Sequence, residues 1–341
     1  MRIAVDAMGT DLAPDVEIEG AVAASLSSDT EVILVGDEAL ISEKLNAFPK
    51  RGAISIVNAS QAIRMNEQPV LAIRKKRDAS LMVALRLVKE GRADAVVSAG
   101  NTGAVMVGAR TVLGPIRGVA RSAISQTLPT AKGRVVLLDL GANVDCTTRQ
   151  LCEFAEMGIA YSQYALGVEN PRVGLLNIGE EGEKGSHVAK EVHQALSAAP
   201  HINFIGNVEP KAMYQGEADV VVCDGFVGNI ILKTSEAVAG LMAKLMREKL
   251  ESSSMSKIGA VLARKSLMAL KQTIDPNEYP GAPLLGINGV VIVLHGSSTP
   301  RGVENAIVGA RTAFENRLND HIRENIERMR SSAATIWGRP I

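Results

Sequence analysis

Four short apolar runs in this chain each end in a loop of glycine and small polar residues, and each loop leads into a helical segment. Ala93–Val97 runs into Ser98-Ala99-Gly100-Asn101-Thr102-Gly103-Ala104, and Arg134–Asp139 into Leu140-Gly141-Ala142-Asn143-Val144-Asp145. Arg172–Asn177 is followed by Ile178-Gly179-Glu180-Glu181-Gly182-Glu183-Lys184-Gly185, and Val220–Cys223 by Asp224-Gly225-Phe226-Val227-Gly228-Asn229. Repeated strand–loop–helix units define an α/β chain with a mostly parallel sheet covered on both faces, a three-layer αβα sandwich. In an open parallel sheet such loops lie at the carboxyl edge, where ligands bind. Loops 98–104, 139–145, 178–186 and 224–229 are therefore expected to converge.

The Ser98–Ala104 stretch shows what such a loop offers. Glycines allow close approach of the backbone, and the free N–H groups of a first helical turn attract anions. Ser98, Asn101 and Thr102 add side-chain donors. Taken alone, the same residues describe a capped strand-to-helix turn equally well.

The rest of the chain continues the alternation. Arg2–Ala7 reads as a strand, with a helix from Pro14 to about Leu26, a strand at Glu31–Val35, a helix, and a strand at Ala53–Val57. Residues 58–78 are less regular and carry the basic run Arg74-Lys75-Lys76-Arg77, a solvated face or a docking patch for an acidic partner. Helices are expected at Ala79–Glu90, at about Thr148–Gly167, after Ser186, and over about Arg301–Arg328. Leu285–Val293 reads as one last strand after a Pro-rich linker, and the tail with Trp337 as loose.

Residues 230–271 break the pattern as a helical arm inserted in an otherwise single domain spanning 1–341. Leu241, Met242, Leu245, Met246 and Leu250 recur at helical spacing, and a second stretch follows Ser252-Ser253-Ser254. Over 240–271, Lys244, Arg247, Lys249, Lys257, Arg264, Lys265 and Lys271 face only Glu248 and Glu251. A protruding helical hairpin with apolar surface and a basic face fits an internal core, a dimer interface, a membrane surface or an acidic partner.

Composition narrows the function classes. Lys+Arg and Asp+Glu are both 37, so the formal net charge is zero, and aromatics are only 3%. Both disfavour a nucleic-acid partner. The three cysteines, Cys146, Cys152 and Cys223, form no C-x-x-C pair, and no H-E-x-x-H links the histidines. No metal, zinc scaffold or disulfide framework is expected. With no signal-like or membrane-spanning run, a cytoplasmic protein is expected, with peripheral membrane attachment left open. No G-x-G-x-x-G follows an early strand, the 178–186 loop lacks the G-x-x-x-x-G-K-S/T order, and no G-x-S-x-G occurs.

What remains is a set of neutral donors and one cation in a glycine-rich loop. Lys184, Asn229, Ser98, Asn101, Thr102 and Asn143, with His187 beside the cation, suit holding an anion and stabilising an oxyanion. The competing reading of Lys184 is a surface lysine paired with Glu180, Glu181 or Glu183.

These loops, together with Asp6-Ala7-Met8-Gly9, resemble the bacterial phosphate acyltransferases of phospholipid synthesis (the PlsX family), in order, from residue 1 to about 320. One departure is Gly9-Thr10-Asp11-Leu12, where the family usually has Gly-Gly-Asp-His. The resemblance implies transfer of a fatty acyl group from acyl carrier protein to inorganic phosphate, a homodimer, no cofactor, and a sheet like those of phosphotransacetylases and isocitrate- or isopropylmalate-type dehydrogenases. On this reading Lys184 and Asn229 are catalytic. Ser98, Gly100, Asn101, Thr102, Gly103, Asn143, His187, Asp224 and Gly228 position phosphate or substrate. A coenzyme A-dependent phosphotransacetylase, a dehydrogenase on a similar sheet and a non-enzymatic membrane adaptor are the alternatives.

Overall fold

The computed structural model describes residues 1–336, so Trp337 lies outside the described residues. In chain order the elements are β1 (Arg2–Asp6), α1 (Asp15–Ser27), β2 (Glu31–Gly36), α2 (Glu38–Leu45), β3 (Ile54–Asn58), α3 (Pro69–Lys75), α4 (Ser80–Lys89), β4 (Ala95–Ser98) and α5 (Thr102–Val112). Then come β5 (Ala123–Thr130), β6 (Gly133–Leu138), α6 (Thr148–Tyr164), β7 (Val173–Leu176), α7 (His187–Ser197), β8 (Phe204–Val208), α8 (Pro210–Tyr214) and β9 (Val220–Val222). The chain closes with α9 (Gly225–Glu251), α10 (Ser254–Leu262), α11 (Arg264–Ile274), a short 3-10 turn, β10 (Ala282–Leu285), β11 (Val290–Val293), α12 (Pro300–Glu315) and α13 (Leu318–Ile336).

All strands join one 11-stranded sheet in the order β3-β2-β1-β4-β11-β10-β5-β6-β9-β7-β8. Both faces are buried, which is why the strands read as near-continuous apolar runs. Alternation along β6 shows it. Val136 and Leu138 enter a core with α1, α6, α7, α12 and α13, whereas Val135 and Leu137 enter the opposite core with α4, α5 and α8. The expected three-layer αβα sandwich is therefore present.

The sheet is parallel within each half but reverses between them. β3, β2, β1, β4 and β11 run together, and β6, β9, β7 and β8 run together. Three antiparallel pairings separate the groups: β11 with β10, β10 with β5, and β5 with β6. An odd number of reversals points the two halves in opposite directions. The carboxyl ends of β1 and β4 thus lie at one edge of the sheet and those of β6, β7 and β9 at the other.

Several local expectations are corrected. β5 escapes a hydrophobicity reading because Ser125, Gln126, Thr127 and Pro129 interrupt it, although Ser125 and Thr127 are buried. Leu285–Val293 is two strands, not one, since Gly286 and Gly289 take φ of +85° and +151° and turn the chain into a hairpin. The C-terminal helix is broken at Asn316–Arg317, where Arg317 sits at φ +52°. Pro69 opens α3 within the stretch read as irregular.

Residues 225–274 form three helices instead of the expected hairpin, the first starting five residues before 230, inside the 224–229 loop, and that helix is long and apolar enough by length and composition to cross a membrane, where no such run was expected. In α9 only Gly225 and Gly228 are buried, and in α10 and α11 no residue is. Leu241, Met242, Met255, Ile258, Val261 and Leu262 are all exposed.

Candidate active site

The organising residue of the second half is Asp139, at the end of β6 and wholly buried. Its Oδ1 accepts the backbone N–H groups of Ile124 (3.0 Å), Leu140 (2.7 Å) and Ala142 (3.2 Å). Its Oδ2 accepts the Asn143 N–H (2.6 Å) and the Asn143 Nδ2 amide (2.9 Å). Burial pushes the Asp139 carboxyl upward, and these donors oppose the shift. The 140–143 loop is wound around this one side chain.

Helix α9 begins directly against that loop. A β-carbon on Gly225 would lie 2.7 Å from the Asn143 carbonyl oxygen, and one on Gly228 1.9 Å from the Asp139 carbonyl oxygen. Only glycine fits at either position. Asp224 caps the helix, its Oδ1 accepting Val227 N–H at 2.8 Å. Asn229 then faces Gly141, whose φ is +111°.

The third loop comes from β7. Asn177 Oδ1 accepts Ile178 N–H at 2.8 Å, and its Nδ2 donates to the Lys184 carbonyl at 3.0 Å. Asn207, at the end of β8, donates to the Glu181 carbonyl at 2.7 Å. These two amides hold the loop that carries Lys184, and the sequence pattern did not single them out. Their position at strand ends was the available signal. Ser186 caps α7, accepting Ala189 N–H at 3.2 Å.

The N-termini of α6, α7 and α9 border a half-open pocket of about 370 Å³, lined by residues from 144–146, 186–189 and 223–227 together with Leu151, Leu175 and Leu176. Loops 139–145, 178–186 and 224–229 therefore do come together. Among the described residues, the Lys184 ammonium makes no ion pair, so the expected alternative pairing with Glu180, Glu181 or Glu183 is not realised. The Asn229 amide likewise has no hydrogen-bond partner, while Asn143 and Asp224 spend theirs on the scaffold. His187 is largely exposed and turns to Glu191 on its own helix, 3.4 Å away.

The 98–104 loop does not join them, which corrects the expected four-loop convergence. It lies at the opposite sheet edge because β10 and β5 reverse the direction of the second half. Two of its three side-chain donors, Ser98 and Asn101, are also committed. Ser98 Oγ donates to Asp6 Oδ2 at 2.7 Å and accepts Gly100 N–H at 3.1 Å. Asn101 Oδ1 accepts Ala104 N–H, capping α5, and its Nδ2 donates to the carbonyls of Met65 and Glu67. Thr102 is exposed as the first residue of α5, and Gly103 packs on Pro69.

Beside it, Thr10 accounts for one departure from the family pattern. Its backbone lies outside the left-handed region, and both its N–H and its hydroxyl donate to Glu17, at 2.7 and 2.9 Å.

A glycine-rich sheet edge where the N-termini of three helices meet, with Lys184 and Asn229 unpaired among the described residues, defines an α/β protein with a candidate anion site. The comparisons are specific. The family model described as "Fatty acid synthesis protein" matches residues 1–321. Phosphate acyltransferase of Pelotomaculum thermopropionicum is 46% identical over 327 residues, covering 96% of this chain and 95% of that protein. Phosphate acyltransferase of Moorella thermoacetica is 50% identical over 307 residues, covering 90% of each. The chain belongs to the phosphate acyltransferase (PlsX) family, enzymes of acyl transfer to phosphate in lipid synthesis. Its fold is shared with the EutD phosphotransacetylase from Staphylococcus aureus (TM-score 0.59, 18% identity, covering 92% of this chain and 94% of that one). A phosphotransacetylase from Streptococcus pyogenes matches equally well (TM-score 0.59, 19% identity, the same coverage of both chains).

Proposed function

We propose that the acyl donor is a fatty acyl thioester of acyl carrier protein, and that the acyl phosphate formed feeds phosphatidic acid synthesis. Phosphate is already an anionic nucleophile near neutral pH and needs aiming more than activation. A phosphate oxygen attacks the thioester carbonyl carbon directly, negative charge develops on the carbonyl oxygen, and the C–S bond breaks to release the carrier thiolate, which takes up a proton. Lys184 holds the phosphate or the developing oxyanion, and Asn229 positions the carbonyl or the phosphate. One observation carries this assignment: among the described residues the Lys184 ammonium and the Asn229 amide lack internal partners, at an edge where Asn143, Asn177, Ser186 and Asp224 are bonded to the scaffold.

The experiment is phosphate-dependent consumption of a long-chain acyl carrier protein thioester by the purified protein. Lys184→Ala and Asn229→Ala should each slow acyl phosphate formation by about 10²-fold or more, the scale of losing one oxyanion donor. Near wild-type rates in both folded variants would remove the assignment. Coenzyme A thioesters supplied in parallel test the second donor class, which the fold shared with phosphotransacetylases keeps in view.

The exposed, basic and apolar arm fits an acidic carrier, an anionic lipid surface and a homodimer contact, in a cytoplasmic enzyme working at the membrane face. Deleting the arm tip should abolish sedimentation with anionic liposomes. Retention of liposome binding would argue against membrane contact through the arm.

A further inference from the structure

We propose that the arginine-rich loop 117–121, with Arg149 of α6 and Arg330 of α13, is the surface on which the acidic carrier protein docks to present its thioester to Lys184 and Asn229. The inference rests on the carrier thioester being the donor, as read above. The loop leads into β5, and β5 pairs antiparallel with β6, Ser125 opposite Leu138. The start of β5 therefore lies at the sheet edge where β6 delivers Asp139. Two contacts tie it to the site. Asn143 Nδ2 donates to the Ser122 carbonyl at 2.9 Å, and Asp139 Oδ1 accepts the Ile124 N–H at 3.0 Å.

The loop gathers charge of one sign. Arg149 Nη2 donates to the Gly118 carbonyl at 3.1 Å, and a β-carbon on Gly118 would stand 3.2 Å from Nη1 of Arg330. Arg117 and Arg121 flank Gly118 along the loop and are exposed, as is Arg330. Of the four arginines, Arg149 alone has an ion-pair partner among the described residues. That partner is the wholly buried Glu153, whose Oε1 accepts from Arg149 Nε at 2.7 Å and whose Oε2 accepts the Ala120 N–H at 2.8 Å. Glu153 thus holds the loop and Arg149 together. Unpaired guanidinium groups on a loop fixed in this way suit bidentate contact with the carboxylates of an acidic protein.

The two basic stretches evident in sequence are less suited to this task. The Arg74–Arg77 run closes α3, in the half of the sheet whose strand ends face the opposite edge, and Lys76 is bonded to Glu67 at 2.6 Å. The arm mixes its cations with exposed Met255, Val261 and Leu262, the composition of a lipid-facing helix. Loop 117–121 exposes no large apolar side chain, since Val119 is buried. Attraction to it is therefore electrostatic and fits a soluble acidic partner.

The test compares Arg117→Glu/Arg121→Glu with wild type in kcat and KM for a hexadecanoyl carrier thioester. Binding of fluorescently labelled holo-carrier protein, followed by anisotropy, gives a readout independent of turnover, and the melting temperature is recorded for each variant. The expected result is a KM raised about tenfold or more at low salt with kcat within about twofold, and a carrier affinity weakened to match. The fall of wild-type kcat/KM with added salt should flatten in this variant. Arg117→Lys/Arg121→Lys keeps the charge and should stay within about threefold of wild type. An unchanged KM, a loss in kcat alone, or an equal effect from the arm variant Lys257→Glu/Lys265→Glu would overturn the docking surface. So would an effect confined to liposome sedimentation or to oligomeric state. If wild type consumes no carrier thioester, the donor reading falls, and the anisotropy still decides whether this loop receives the carrier.

Discussion

Asn229 lies directly over the backbone of Gly141: a β-carbon built on Gly141 would stand 3.7 Å from the Cβ, Cγ and Nδ2 of Asn229. The amide at the start of the arm is therefore aimed by a glycine of a different loop. Gly141→Ala introduces an L residue at φ +111°, a strain of about 1–2 kcal/mol. The strain is relieved by moving the loop beneath Asn229. Acyl phosphate formation should fall on the order of tenfold or more, with only a few degrees lost in melting temperature. Wild-type activity in this variant would show that Gly141 does not set the Asn229 geometry.

Asp139→Asn tests the hub of the same loop. The carboxylate accepts from Ile124, Leu140, Ala142 and Asn143, and an amide presents NH2 where an acceptor is required. A loss of about 3 kcal/mol in unfolding free energy is expected from chemical denaturation, because buried N–H groups are left unpaired. A variant within about 0.5 kcal/mol of wild type would contradict the role given to Asp139.

Gly228→Ala should be more damaging than its small volume suggests. The added methyl would meet the Asp139 carbonyl oxygen at 1.9 Å and the Cys223 sulfur at 2.9 Å. Neither backbone nor a buried thiol yields cheaply, so α9 must shift as a unit. Insoluble protein, or soluble protein with activity lost and the arm newly cleaved by protease, is the expected outcome; full activity is not compatible with this packing.

The pair Thr10–Glu17 predicts a pH dependence of stability. Burial raises the Glu17 carboxyl from 4.5 to about 7. Between those values the folded chain holds a proton that the unfolded chain has lost, so stability falls as pH rises from about 4.5 to about 7. Glu17→Gln has no proton to lose, and its amide can still accept from Thr10 N–H and meet the Thr10 hydroxyl. At pH 8 it should exceed wild type by up to about 3 kcal/mol, with the gap closing toward pH 4.5. A gap independent of pH would mean that Glu17 does not titrate in this way.

Cys146 lines the site pocket, yet burial and the nearby Asp139 push its thiol up to about 12. Such a thiol stays protonated and is a poor nucleophile. Iodoacetamide at pH 8 should leave it unlabelled in the native protein and label it after denaturation, and Cys146→Ser should retain acyl phosphate formation. Loss of activity in that variant would point to a covalent acyl-enzyme instead of direct attack by phosphate.

Much of this site is legible in sequence because its parts are local. Ser186, Asp224 and Asn101 announce helix starts within three residues of the N–H groups they bond. The prominence of Lys184 and Asn229 also survives, since each sits in a glycine-bearing loop after an apolar run. The supporting amides Asn177 and Asn207 were not legible, because one bonds a carbonyl seven residues away and the other a carbonyl 26 residues away. β5 was not legible either, since its buried Ser125 is satisfied by the Pro283 carbonyl, 158 residues distant.

The sequence by itself determined the repeating units: which of the strongly apolar runs followed by polar loops are strands, which loops carry donors, and that an apolar, basic arm interrupts them. Those properties follow from side-chain periodicity and caps within a few residues. Tertiary structure alone decided which loops share an edge. Strand direction is set by pairing partners far apart in the chain, and the antiparallel insertion of β10 and β5 turns the second half around. That reversal separates Ser98–Ala104 from the loops that carry Lys184 and Asn229.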